Sequence, residues 1–96
     1  MVINNVMLKL KNRDVSSIQK IKDALLSMKG KIDVLKDIQV ETNIRSGMVS
    51  YDLIFFAKFA SLEDMDAYIK NPIHQEIGKF IAGMMESQAS VCYEIK

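Results

Sequence analysis

The chain has 96 residues, 49% of them hydrophobic and 26% charged, and its 13 basic and 12 acidic side chains leave a formal charge of +1. That is the size and make-up of one globular domain, 1–96, and it excludes both a disordered segment and a basic nucleic-acid binder. Cys92 is the only cysteine, so neither an intramolecular disulfide nor a Cys-rich metal site can form. The longest apolar run, Leu53 to Ala57, is far short of the ~20 residues a membrane helix needs, and Asn4 and Asn5 stand where a signal peptide has its apolar stretch. The expected location is the cytoplasm, with no nucleic-acid and no membrane partner.

Val2 to Lys11 reads as a strand, with Val6, Leu8 and Leu10 alternating with Met7, Lys9 and Lys11. Asp14 is placed to cap a helix in which Val15, Ile18, Ile21, Leu25 and Met28 recur at helical spacing and which Gly30 closes. Val34 to Ile44 reads as a second strand, Arg45-Ser46-Gly47 as a turn, and Val49 to Phe59 as a third strand. Ser61-Leu62-Glu63-Asp64 resembles a capping box and opens a helix running to Lys70. Asn71-Pro72 interrupts it, because the residue before proline avoids the helical region, and a new helix starts with Pro72 in its first turn. Its apolar face is expected to be Ile73, Ile77, Phe80, Ile81, Met84 and Met85. Ser90 to Ile95 is the last strand. The order β-α-β-β-α-β is the ferredoxin-like, α+β pattern: an antiparallel four-stranded sheet with both helical segments on one face.

Two helical segments cover only one face of such a sheet, and the other face should then read polar at alternate positions. The third strand does not. Tyr51, Leu53, Phe55, Ala57 and Phe59 share one parity, yet Ile54 and Phe56 occupy the other, joined by Met7 from the first strand and Cys92 from the last. A second copy packed sheet to sheet would cover this face, with Met7, Ile54 and Phe56 in the interface. The competing expectation is that a loop or the C-terminal tail lies over it.

Several of these stretches together resemble the stress-responsive α/β barrel (Dabb) family of the dimeric α/β barrel superfamily. The opening NNVMLKLK is similar to the family's first strand. The run Tyr51-Asp52, an apolar strand, Phe59, Ser61, Glu63, Tyr68, and then Asn71-Pro72 with His74 matches the family's pattern in order and spacing. The resemblance spans nearly the whole chain. It implies a homodimer whose two sheets form a barrel, with a small cavity between sheet and helices in each subunit and no cofactor. The family includes plant stress-induced proteins, bacterial proteins of unassigned role and a few polyketide cyclases that use a His and a Tyr in the cavity. Membership therefore does not by itself fix a function.

His74, the only histidine, falls on the third position of the helix that Asn71 would cap. There the positive end of the helix dipole disfavours imidazolium, and a neutral ring can accept a proton. Tyr68 lies six residues earlier, across the Asn71-Pro72 break, so the two can face one cavity. The resemblance makes them counterparts of the cyclases' catalytic pair, whereas a structural reading makes His74 a helix-start residue and Tyr68 a core aromatic. Asn4 stands where many family members have a histidine. It can hydrogen-bond but cannot exchange protons at neutral pH, so cyclase-like chemistry through that histidine is not expected here; the alternative reading is that Asn4 only terminates the strand. Cys92 is read as an inert strand residue and the methionines as core or cavity lining. One histidine with scattered carboxylates offers no metal cluster, and the tryptophan typical of the superfamily's monooxygenases is missing. Two functions use the cavity: a homodimeric binder of a small apolar or phenolic ligand, or a cofactor-independent cyclase or lyase using Tyr68 and His74. A third is a purely structural module with its cavity closed by apolar side chains.

Overall fold

Side-chain alternation along the first strand sets the architecture. In the computed structural model, which describes residues 1–45 and 47–96, strand β1 (Val2–Leu10) buries Val2, Val6, Leu8 and Leu10 on one face. Helix α1 (Val15–Leu26) follows, then β2 (Asp37–Thr42), β3 (Leu53–Phe59), α2 (Leu62–Lys70), α3 (Pro72–Met84) and β4 (Met85–Glu94). The strands form one antiparallel sheet in the order β2-β3-β1-β4. This is the ferredoxin-like order, with the second helical stretch divided at Asn71.

The helix boundaries follow from local chemistry. The Asp14 carboxylate accepts the Ser17 amide at 2.7 Å, the Ser61 hydroxyl accepts the Asp64 amide at 3.1 Å, and the Asn71 side chain accepts the Ile73 amide at 2.9 Å. Each satisfies a donor that the first helical turn leaves free. Asn71 is extended (φ −64°, ψ 133°), so it ends α2 and starts α3 in one residue. One core joins Ile21 and Leu25 of α1, Tyr68 of α2 and Ile81 of α3 to Val6, Leu8, Ile38, Val40, Leu53, Phe55 and Phe59 of the sheet. These strand residues share one parity, which puts all three helices on the same face. Burial of each such large side chain contributes roughly 1.5–3 kcal/mol.

The strands depart from the expected boundaries at four places. Residues 34–36 precede β2 as a turn, in which the Leu35 amide donates to Ile32 O and both side chains join the core. Strand β3 begins at Leu53, directly after a bend at Asp52. It is only 4% exposed. Its carboxylate accepts the Leu10 amide and Arg13 Nε, both at 2.8 Å, and its own amide donates to Leu8 O. Arg13 also donates to Ser50 O, so this partly buried pair ties the β2–β3 connection to the end of β1. Ile44 and Val49, expected in strands, lie in that connection and are exposed; Ser46 of the expected turn lies outside the described residues. Strand β4 starts at Met85, five residues before the expected Ser90, directly at the end of α3.

Two side-chain assignments also change. The inward stripe of α3 is His74, Ile77, Gly78, Ile81 and Ala82, while Phe80 and Ile73 are exposed. Cys92 pairs with Asn4 in register and contacts Met65 of α2, so it lies on the helix side of the sheet and not beside Met7. The open face carries Ile3, Asn5, Met7, Ile54, Phe56, Val91 and Tyr93.

Candidate functional site

Between the sheet and helices α2 and α3 lies a cavity of about 320 Å³. Its floor is Asn4, Val6 and Leu8 of β1 with Phe55 of β3. Met65, Tyr68 and Ile69 come from α2, and His74, Ile77, Gly78, Ile81 and Ala82 from α3. The space is open because the α3 stripe facing the sheet alternates large side chains with Gly78 and Ala82. A Cβ built on Gly78 meets nothing within 4 Å.

Tyr68 and His74 stand side by side on this wall, their ring centroids 4.3 Å apart and their planes inclined by 49°. The extended Asn71 makes this contact, since it carries the chain out of α2 and back so that the third residue of α3 meets the last turn of α2. Phe59 backs Tyr68 from the sheet at 4.9 Å, a support that the sequence reading used only as part of a motif. Tyr68 is 3% exposed, and burial pushes its phenol up to about 12. The nearest polar contact of its hydroxyl is the Met28 thioether at 4.0 Å, a weak acceptor.

His74 is half-buried, and its Nδ1 lies 3.2 Å from Ile69 O. A carbonyl only accepts, so Nδ1 carries the proton and Nε2 of the neutral ring is the free acceptor. Burial lowers the imidazole below its ordinary value, while the hydrogen bond to Ile69 O acts in the opposite sense. The ring is therefore neutral at pH 7. The cause acting most strongly is desolvation, where the sequence reading invoked the helix dipole.

Asn4 lines the same cavity from the sheet. The sequence reading missed Gln88 and Ser90, which also line it. Their signal was present in the alternation of polar residues along β4 but was masked by placing that strand too late. Met7, Ile54 and Phe56 are absent from this cavity and lie together on the opposite, open face of the sheet. Beside Met7 and Ile54, a groove of about 420 Å³ runs under the β2–β3 connection. Among the described residues no helix is long and apolar enough to cross a membrane.

An antiparallel ferredoxin-like sheet with one helix-covered cavity and one open apolar face defines a class of small α+β barrel proteins. The chain belongs to the stress responsive A/B barrel domain family, whose model matches residues 4–95. Among solved structures it is similar to a dimeric protein of unknown function and ferredoxin-like fold from Bacteroides fragilis. The two share 28% identity over 98% of this chain and 95% of that one, with a TM-score of 0.85. It is also similar in fold to a protein from Arabidopsis thaliana (18% identity, 100% and 96% covered, TM-score 0.86). A hydroxynitrile lyase from Passiflora edulis is a further match in fold (16% identity, 99% and 93% covered, TM-score 0.86). No curated protein matches the chain.

Proposed function

We propose that this protein is a homodimer that binds a small, uncharged carbonyl or phenolic molecule in the cavity of each subunit. The observation that carries the reading is the pairing, on one apolar wall, of a buried hydroxyl donor at Tyr68 with a neutral imidazole acceptor at His74. A ligand oxygen beside Tyr68 would accept its hydrogen bond, and a ligand hydroxyl would donate to His74 Nε2. The apolar remainder of the cavity supplies burial. Titration of p-phenylphenol into the nitrogen-15-labelled chain should shift the amides of Tyr68, Ile77 and Gly78. Tyr68→Phe should weaken binding by about 3- to 10-fold, the effect of one hydrogen bond. Shifts confined to residues remote from the cavity would overturn the reading.

The homodimer is supported by the open face. Met7 is 39% exposed there and lies between Ile54 and Ala89. Asn5 lies between Phe56 and Val91 at the centre of that face, and its Oδ1 is buried without a hydrogen-bond partner among the described residues. An unpaired buried acceptor amid apolar neighbours fits a surface completed by another chain, and the Bacteroides fragilis protein is described as dimeric. Phe56→Asp should therefore give a monomer or aggregate in sedimentation. An unchanged dimer mass would remove this interface.

The same pair favours a second reading, a cofactor-independent lyase or cyclase. His74 Nε2 would take a proton from the carbon next to a carbonyl, and the Tyr68 hydroxyl would hold the resulting enolate oxygen. The likeness in fold to a hydroxynitrile lyase is compatible with this but assigns no activity. Deuterium exchange at the carbons beside the carbonyl of benzylacetone separates the two readings. Exchange that is faster than in buffer and lost in His74→Ala marks an enzyme. Exchange at the buffer rate leaves the binder.

A further inference from the structure

The far wall of the cavity is polar where the sheet pattern calls for apolar residues. Gln88 stands opposite Leu8, and Ser90 opposite Val6, in the β1–β4 register. Leu8 and Val6 are buried beneath the helices, so Gln88 and Ser90 face the same way. Across the sheet, the other edge strand carries Val40 in the row of Ser90 and Ile38 in the row of Cys92, both buried, while Thr42 in the row of Gln88 is exposed.

The connection between α3 and β4 fixes what these two residues face. Helix α3 ends at Met84 and β4 begins at Met85, with no loop between them, so the two elements diverge from one vertex. Gly78 lies about 9 Å from that vertex along the helix, at ~1.5 Å per residue. Gln88 lies about 10 Å from it along the strand, at ~3.3 Å per residue. His74 and Ser90 follow at about 15 Å and about 17 Å on the same two scales. Gln88 thus sits level with the gap left by Gly78, and Ser90 level with His74, and all four line the cavity.

Among the described residues of this wall the only ionisable side chains are Tyr68 and His74; no lysine, arginine, aspartate or glutamate lines it. An anionic or cationic ligand would lose its hydration here without a counter-charge. Gln88 offers a donor and an acceptor, and Ser90 a hydroxyl that does both.

We propose that Gln88 and Ser90 form a second polar subsite on the β4 wall of the cavity, which holds an uncharged hydroxyl or amide at the end of the ligand not held by Tyr68. The inference rests on the reading that the cavity binds a small molecule, and it narrows that molecule to a neutral one with a polar group at each end and an apolar middle. Entry is along the β4 side, where Gln88 and Ser90 are exposed.

The test compares p-phenylphenol with p,p′-biphenol, which differ by one hydroxyl at the far end, in titrations of the full nitrogen-15-labelled chain. The diol is expected to bind about 3- to 10-fold more tightly, the effect of one added hydrogen bond and more than the twofold that its symmetry alone supplies. In Gln88→Leu/Ser90→Ala the preference should fall to that symmetry factor. A preference missing from the native protein, or surviving in the double variant, overturns the second subsite and leaves cavity binding intact. If neither probe moves the Tyr68, Ile77 and Gly78 resonances, cavity binding falls as well. Should the double variant lose its dispersed spectrum, Ser90→Ala alone decides by the same ratio.

Discussion

The two edge strands of this sheet face the same layer of helices and have opposite fates. At the β2 edge, Ile38 and Val40 point inward and are sealed by α1, with Ile21, Leu25, Ile32 and Leu35 filling the space. At the β4 edge the inward row is Gln88, Ser90 and Cys92, all exposed, and the cavity occupies the space under α3. Neighbouring strands β1 and β3 present apolar residues to both halves, so the sheet itself does not decide between a packed and an open layer. The helix does: α1 brings long apolar side chains to β2, whereas α3 brings Gly78 and Ala82 toward β4. A cavity of this kind survives because its polar rim needs no burial and its apolar wall is anchored in the packed half.

This contrast gives predictions of decreasing size. Ile38→Ala in the packed half should cost about 2–5 kcal/mol, the range for deleting a buried aliphatic side chain. Ser90→Ala at the open edge should stay within about 0.5 kcal/mol, as surface changes do. Urea denaturation of both variants checks the pair, and equal losses would erase the distinction between the halves.

The next effect is alkaline. The Tyr68 phenol titrates at about 12 when folded against 10.0 as its ordinary value. Below pH 10 the phenol is neutral in both states. Between pH 10 and 12 the unfolded chain loses that proton first, so stability falls as pH rises. Two units correspond to roughly 2–3 kcal/mol at ~1.4 kcal/mol per unit. Tyr68→Phe should flatten this part of the stability profile, measured by urea titrations across the range. A native protein whose profile matches that of the variant would contradict the burial of the hydroxyl.

Gly78→Ala comes third. Replacing a glycine inside a helix should stabilise it by up to ~1 kcal/mol, and no atom lies within 4 Å to oppose the added methyl. The methyl enters the cavity, so thermal stability should rise while affinity for p-phenylphenol falls. A rise in both would mean that the space beside Gly78 is not used by the ligand.

The smallest effect is acidic. His74 is held below its ordinary value of 6.5 by burial. As pH falls through 6.5 the unfolded chain takes up a proton that the folded ring resists, so this contribution to stability is complete above pH 6.5 and declines below it. Because His74 is the only histidine, its ring proton resonance can be followed by NMR without assignment. A midpoint at or above 6.5 would contradict the desolvated ring.

Much of the site's geometry was legible before any coordinates. Asn71-Pro72 announced both the break and the new helix, and that break is what lets Tyr68 and His74 meet across six residues. The open face was legible too, from Ile54 and Phe56 standing against the parity of Phe55 and Ala57. Less legible was the stripe of α3. Hydropathy weights Phe80 and Ile73, but the side facing the cavity is marked by His74, Gly78 and Ala82; of these His74 is legible as a cavity residue in the sequence and Ala82 is not. Cys92 is expected on the wrong face for a related reason: the residues before Ser90 do not read as strand, so the alternation of Gln88 and Ser90 that marks the inward row is not carried on to it.

Local chemistry thus determined the element order, the caps at Asp14, Ser61 and Asn71, and the alternation that selects the inward face of β1 and β3. Those signals act over a few residues, and spacing alone carries them. The tertiary structure decided the role of Asp52, whose carboxylate is claimed by the Leu10 amide and Arg13, partners about forty residues away. It likewise decided that β4 grows straight out of α3, and that the wedge between them remains open. Whether facing side chains fill a space depends on how two distant elements are set against each other, and no local pattern records that distance.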